Sequence, residues 1–131
     1  MQIKILVADD SDVVRRAIRQ FLQQNSDFAL VGEAADINEA IEKAGTLEPD
    51  IVIMDLHMAI WAEGDSDRLK GELSATRLIA ISAASDDETS TLVERLGADR
   101  FIDKMQLYDK LIPTILELAV PRTFDATLLN T

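Results

Sequence analysis

Asp9-Asp10, Asp55, Ser82 and Lys104 are the residues of this chain whose types could do chemistry together. Each closes or follows a short apolar run: Ile3 to Ala8, Ile51 to Met54, Leu78 to Ile81, and Arg100-Phe101-Ile102 ahead of Asp103-Lys104. Three carboxylates brought to one point repel one another and need a cation. A hard oxygen site with few protein ligands suits Mg2+ that keeps several of its waters. A lysine and a hydroxyl beside that ion can hold an anion of phosphoryl size. Asp55, at the end of the middle run and flanked by metal and lysine, would be the nucleophile. Taken singly, each residue has a plainer reading. Asp9-Asp10 could be charge at a helix start, Asp55 the first polar residue after a strand, Ser82 a strand-end hydroxyl, and Lys104 a solvated charge. Arrival at the ends of neighbouring strands is what lifts the set above coincidence.

For these positions to meet, the strands must lie side by side. Short apolar runs without alternation fit strands covered on both faces, as in a parallel sheet. Helical stripes lie between them. Val14, Ala17, Ile18, Phe21 and Leu22 share one face with Arg15, Arg16, Arg19 and Gln20 opposite, and Ser11 or Asp12 can cap that helix. Phe28 to Gly32 reads as the second strand. Asp36 and Glu39 form a capping box before the stripe Ile37, Ala40, Ile41 and Ala44, and Glu48-Pro49-Asp50 ends that helix.

The pattern weakens from Leu56 to Gly64, which holds the only His (His57) and the only Trp (Trp61). Leu69 and Leu73 predict a helix over Asp65 to Leu73, with Gly71 inside it costing about 1 kcal/mol relative to Ala. Ser85-Asp86-Asp87-Glu88 reads as a second capping box, and Leu92, Val93 and Leu96 carry that helix to Gly97. The last helix has a wide apolar face from Leu107 to Leu116, interrupted by Pro113, so it starts late or kinks. Strands and helices alternate five times, which predicts a doubly wound α/β domain with helices on both faces of a parallel sheet. With strand order 2-1-3-4-5, the first, third, fourth and fifth strands are neighbours and their carboxyl ends converge.

The remaining composition bounds the answer. A chain of 131 residues, 47% hydrophobic and only 5% aromatic, forms one domain with a mostly aliphatic core. Its net charge of −11 argues against a nucleic-acid-binding face. The absence of cysteine removes disulfides, thiolate catalysis and cysteine zinc sites. Ile3 to Ala8 is far too short for a signal peptide or membrane span, so a cytoplasmic location without membrane contact is expected. Residues 1–120 are expected to be the domain and 121–131 a C-terminal tail.

At this point the residues resemble the receiver domain of two-component response regulators, over about residues 2 to 118. Leu6-Val7-Ala8-Asp9-Asp10-Ser11 is similar to that family's acidic-pair segment, and Met54-Asp55-Leu56-His57-Met58 to its phosphorylation site. Ile81-Ser82-Ala83 resembles its switch hydroxyl and the small residue after it. Gly97-Ala98-Asp99 and Asp103-Lys104 resemble the approach to its active-site lysine. Phe101, three residues before Lys104, stands where the family places an aromatic rotamer switch. Val31-Gly32-Glu33-Ala34 is particularly like the receivers of NarL/FixJ-type regulators. Two positions depart from the pattern: Ala59 and Met105 stand where many members carry proline. A non-proline cis bond costs about 3 kcal/mol, so Lys104-Met105 is expected to be trans.

The resemblance implies a flavodoxin-like (βα)5 fold and a phosphoryl-accepting switch, not a freestanding enzyme. Asp55 would take a phosphoryl group from a histidine kinase or phosphotransfer protein. Asp10, Asp55 and the backbone carbonyl of His57 would bind Mg2+ directly, with Asp9 acting through water. Lys104 and Ser82 would contact the phosphoryl oxygens. Ser82 and Phe101 would then switch the surface of the fourth helix, fifth strand and fifth helix toward a downstream protein partner or a second copy. An inward Phe101 leaves no polar group unsatisfied, so that form is expected to be populated before phosphorylation. The chain's end soon after the fifth helix favours a single-domain regulator. The alternatives are the receiver part of a DNA-binding regulator and, in another class, a flavodoxin-like or phosphatase-type enzyme.

Overall fold

The computed structural model describes residues 2–58, 62–83 and 86–119. Its centre is the strand β3, Ile51–Asp55, buried along all five residues. The other strands are β1 (Ile3–Ala8), β2 (Phe28–Ala34), β4 (Arg77–Ser82) and β5 (Arg100–Asp103). All pairings are parallel, in the order β2-β1-β3-β4-β5. The helices are α1 (Asp12–Gln23), α2 (Ile37–Leu47), α3 (Asp65–Glu72), α4 (Asp87–Leu96) and α5 (Leu107–Leu118). This is the doubly wound α/β fold with the strand order expected from the sequence.

Strand alternation sorts the core into two layers. Ile5 and Val7 of β1, with Ile51 and Ile53 of β3, face α1 and α5, where Ile18, Leu111 and Ile115 are fully buried. Leu6, Val52 and Met54 face the other way, onto Ile41 and Ala44 of α2, Leu69 of α3 and Leu96 of α4. Each such aliphatic side chain contributes about 1.5–3 kcal/mol when fully buried. The uninterrupted apolar runs in β3 and β4 follow from having both faces covered.

Local chemistry sets the ends of the helices. Ser11 caps α1 by accepting the Val14 N–H, and Asp36 caps α2 by accepting the Glu39 N–H at 2.8 Å. Glu39 reaches back to accept the Ala35 N–H, one residue before the cap, so the return bond of the expected box falls on the neighbouring N–H and not on that of Asp36. The helix α2 ends where Glu48 enters the left-handed region at φ 48°, before Pro49. On α4 the cap is Asp86, which accepts from Thr89 N–H at 2.8 Å. The expected box beginning at Ser85 is therefore displaced by one residue, and Ser85 itself lies outside the described residues. Gly97 closes α4 at φ 65°, a conformation that costs glycine little.

Three further differences have physical causes. The strand β2 continues to Ala34 because β1 pairs with it through Ala8, after a register shift between Ile5 and Leu6. The helix α3 forms despite Gly71, anchored by fully buried Leu69. The helix α5 does not start late: it begins at Leu107 and carries Pro113 inside it on an exposed face, where water can reach the carbonyl that Pro113 leaves without a donor. Among the described residues no peptide bond is cis, so Lys104-Met105 is trans as expected. No helix among them is long and apolar enough to cross a membrane. Ala59, Trp61 and the expected tail, residues 121–131, lie outside the described residues.

Candidate functional site at the carboxyl edge of the sheet

Strand register brings the site together. Ala8 pairs with Met54, so Asp9 and Asp55 leave adjacent strands side by side. Asp55 pairs with Ile81 and Ser82 with Asp103, which sets Ser82 and then Lys104 at the same edge. This edge is also where the chain reverses its winding between β1 and β3, the position open α/β sheets use for ligands.

Asp9 and Asp55 are almost completely buried, at 0% and 2% exposure, whereas Asp10 is exposed. One carboxylate oxygen from each of the three lies within 4.8 Å of the others. Lys104, following β5 on a short 3-10 turn, sets its Nζ 2.9 Å from Asp9 Oδ2 and 3.0 Å from Asp55 Oδ2. The second contact is a hydrogen bond. The first is an ion pair, and the Lys104 ammonium is the one partner of the buried Oδ2 of Asp9 among the described residues. The other oxygens are held by backbone: Asp9 Oδ1 accepts the Ser11 N–H at 2.8 Å and Asp55 Oδ1 the His57 N–H at 2.9 Å. Ser82 is fully buried beside them.

The electrostatics follow from burial against charge. Burial is the largest influence on Asp9 and raises its carboxyl above the ordinary value, against the pull of Lys104 and the Ser11 N–H. Burial is also the largest single influence on Lys104 and lowers it. Asp9 and Asp55 together outweigh that effect, so the ammonium is held above its usual value and stays charged. A buried carboxylate oxygen faced only by the Lys104 ammonium, beside two further acids, is a set of hard oxygen ligands for a small divalent cation. The residues present therefore fit Mg2+.

Two connections radiate from the site. Nε2 of His57 lies 2.9 Å from Oγ1 of Thr89, a buried residue in the first turn of α4. The Thr89 backbone N–H, then its hydroxyl, hold the Asp86 carboxyl below its ordinary value. On the other side Arg15, which the sequence places on the solvent face of α1, turns inward. It donates from Nη1 to the Asp9 carbonyl at 2.5 Å and from Nε to Glu33 Oε1 at 3.3 Å. Helical periodicity did not single out Arg15. Its position four residues after the cap Ser11, one turn above the acidic pair, was the signal available. Phe101 is 37% exposed and belongs to neither core layer; alternation along β5 turns it away from the face that buries Ile102.

The fold and this edge define a doubly wound α/β domain with an acidic cluster and a lysine at the carboxyl ends of its strands, and comparison with known proteins gives its family. The family model for the response regulator receiver domain matches residues 5–116, and the chain belongs to that family. It is 37% identical over 103 residues to a protein-glutamate methylesterase/protein-glutamine glutaminase of Geobacter sulfurreducens, covering 79% of this chain and 28% of that protein. It is 33% identical over 105 residues to the response regulator protein VraR of Staphylococcus aureus, covering 79% of this chain and 50% of the relative. The chain thus spans half or less of the length of these two relatives. Among solved structures, the response regulator domain of Thermotoga maritima CheB superposes with a TM-score of 0.78 at 27% identity, covering 92% of this chain and 99% of that one.

Proposed function

We propose that this receiver accepts a phosphoryl group on Asp55 in a Mg2+-dependent reaction and passes the signal through the surface formed by α4, β5 and α5. The observation that carries the reading is the Lys104 ammonium set between two buried aspartates, with a third carboxylate alongside. A carboxylate oxygen of Asp55 attacks phosphorus of a phosphohistidine. The P–N bond breaks, and its electron pair leaves on the imidazole nitrogen. Asp10, Asp55 and the His57 carbonyl would hold Mg2+ directly and Asp9 through water, and the bound ion supplies positive charge against the oxygens of the transferring group. Lys104 shifts from the Asp55 carboxylate to a phosphoryl oxygen, keeping its charge in place as the anion grows. Ser82 donates its hydroxyl to another phosphoryl oxygen.

In this reading the chain is a phosphoacceptor rather than a freestanding enzyme, and it works in the cytoplasm. A histidine kinase or phosphotransfer protein is its donor, and a protein partner or second copy reads its state. Because the relatives are longer than this chain, a receiver attached to an output unit, as in a DNA-binding regulator, is the second reading. Incubation with acetyl phosphate and Mg2+ followed by intact-mass measurement tests the proposal. One added phosphoryl mass, lost when EDTA replaces Mg2+, is expected; no mass gain under any Mg2+ concentration would overturn it.

A further inference from the structure

We infer that Arg15 is a positioning residue for the acidic pair: braced by Glu33, its guanidinium clamps the Asp9 carbonyl and so fixes the peptide from which Asp10 meets a divalent cation. This rests on the Mg2+ site proposed above.

Asp9 is held from several directions. Its N–H donates to the Ala34 carbonyl at 3.0 Å, Oδ1 accepts from Ser11 N–H, and Oδ2 faces Lys104. The Arg15 Nη1 bond to its carbonyl completes the set. Because the peptide unit is planar, anchoring that carbonyl also fixes the N–H and the Cα of Asp10, leaving rotation about its own backbone and side-chain bonds as the freedom still to be ordered. Asp10 needs such help. It is exposed, and its carboxylate has no hydrogen-bond or ion-pair partner among the described residues. Restricting its backbone lowers the ordering cost of capturing an ion.

The clamp is itself built into the fold. The Arg15 side chain is only 15% exposed, and its Nη2 also pairs with Asp12. Glu33, on β2, accepts from Arg15 Nε and twice from Arg19, at 3.0 and 2.9 Å. Its backbone carbonyl accepts from Lys43 of α2 at 2.5 Å. The guanidinium is thus fixed by α1, β2 and the β1–α1 turn at once. A planar fork can span the Asp9 carbonyl and Glu33 together; a lysine ammonium is a point charge on a flexible stem.

Charge alone predicts the opposite of this role, because a cation beside a cation site repels the incoming ion. That opposition makes the test decisive. The Mg2+ concentration giving half of the metal-induced rise in melting temperature is measured for the wild type, Arg15→Met, Arg15→Lys and Asp10→Asn. The clamp predicts that Arg15→Met needs about tenfold more Mg2+, the scale seen when groups that orient metal ligands are lost. Arg15→Lys keeps the charge and the apolar stem, so charge alone predicts no change, whereas the clamp predicts weakening here too. Wild-type or tighter Mg2+ binding in Arg15→Met overturns the inference. If Arg15→Met does not fold, unchanged binding in Arg15→Lys overturns it instead. A wild type without any Mg2+ response, or an Asp10→Asn that keeps it, overturns the metal site itself.

Discussion

The ammonium of Lys104 donates to Oδ2 of Asp55 at 3.0 Å, across 49 positions of sequence. The same Nζ is 2.9 Å from Asp9 Oδ2, so one cation neutralises two buried acids at the centre of the site. Removing it leaves both acids buried without their charge partner. Lys104→Ala should therefore destabilise the metal-free protein by about 3 kcal/mol at neutral pH. The loss should shrink as pH falls. Asp9 already has a raised folded value, so its ionisation costs stability that is recovered once pH drops through that value toward the unfolded one. Chemical denaturation of both proteins at several pH values checks this; a pH-independent difference would contradict it.

Phe101 lies partly exposed, two residues before Asp103, which pairs in register with Ser82. Ser82 is buried, and its motion toward a phosphoryl oxygen would vacate space near the adjoining strand. Phosphorylation should then bias Phe101 between outward and inward rotamers and carry the change into α4 and α5. The His57–Thr89 contact ties the loop after β3 to α4. NMR shifts with and without beryllofluoride should change across residues 86–118 in the wild type and stay local in Ser82→Ala. Identical spread in both proteins would sink the coupled switch.

Glu33 supplies a pH signature independent of the metal. The Arg19 hydrogen bonds, aided by both arginine charges, hold its carboxyl below the ordinary value despite some burial. A carboxyl lowered in the folded state contributes stability that is present above its unfolded value near ~4.3 and lost as pH falls through the folded one. Glu33→Gln should cost about 1 kcal/mol at pH 7, the upper range for a partly exposed pair network. The difference from wild type should vanish in acid. Equal stability of the two proteins at pH 7 would refute it.

Much of this was legible in the sequence because the signals were local. Buried parallel strands announce themselves as apolar runs, so the end of each run located Asp9, Asp55 and Ser82, and strand order then forced them together. Contacts made by long side chains across elements were not legible. Arg15 occupies a helix position that periodicity assigns to solvent, yet its guanidinium reaches back past the cap to a backbone carbonyl, which no 3.6-residue pattern encodes. The α4 cap was misplaced by one residue because Ser85, Asp86 and Asp87 are all good capping residues, and only the Asp86 bond to Thr89 N–H distinguishes them. The outward placement of Phe101 was equally hidden, since β propensity does not say which face of an edge strand is covered.

The role of Asp55 is tested most directly by weighing wild type and Asp55→Asn side by side after acetyl phosphate and Mg2+. The carboxylate sits at the end of the central strand, buried, held by the His57 N–H and Lys104. An amide keeps its shape and its place in the core while removing the nucleophilic oxygen charge. The wild type should gain one phosphoryl mass, and Asp55→Asn, folded by circular dichroism, should gain none. Undiminished uptake in the variant would place the accepting group elsewhere and contradict the account at its centre.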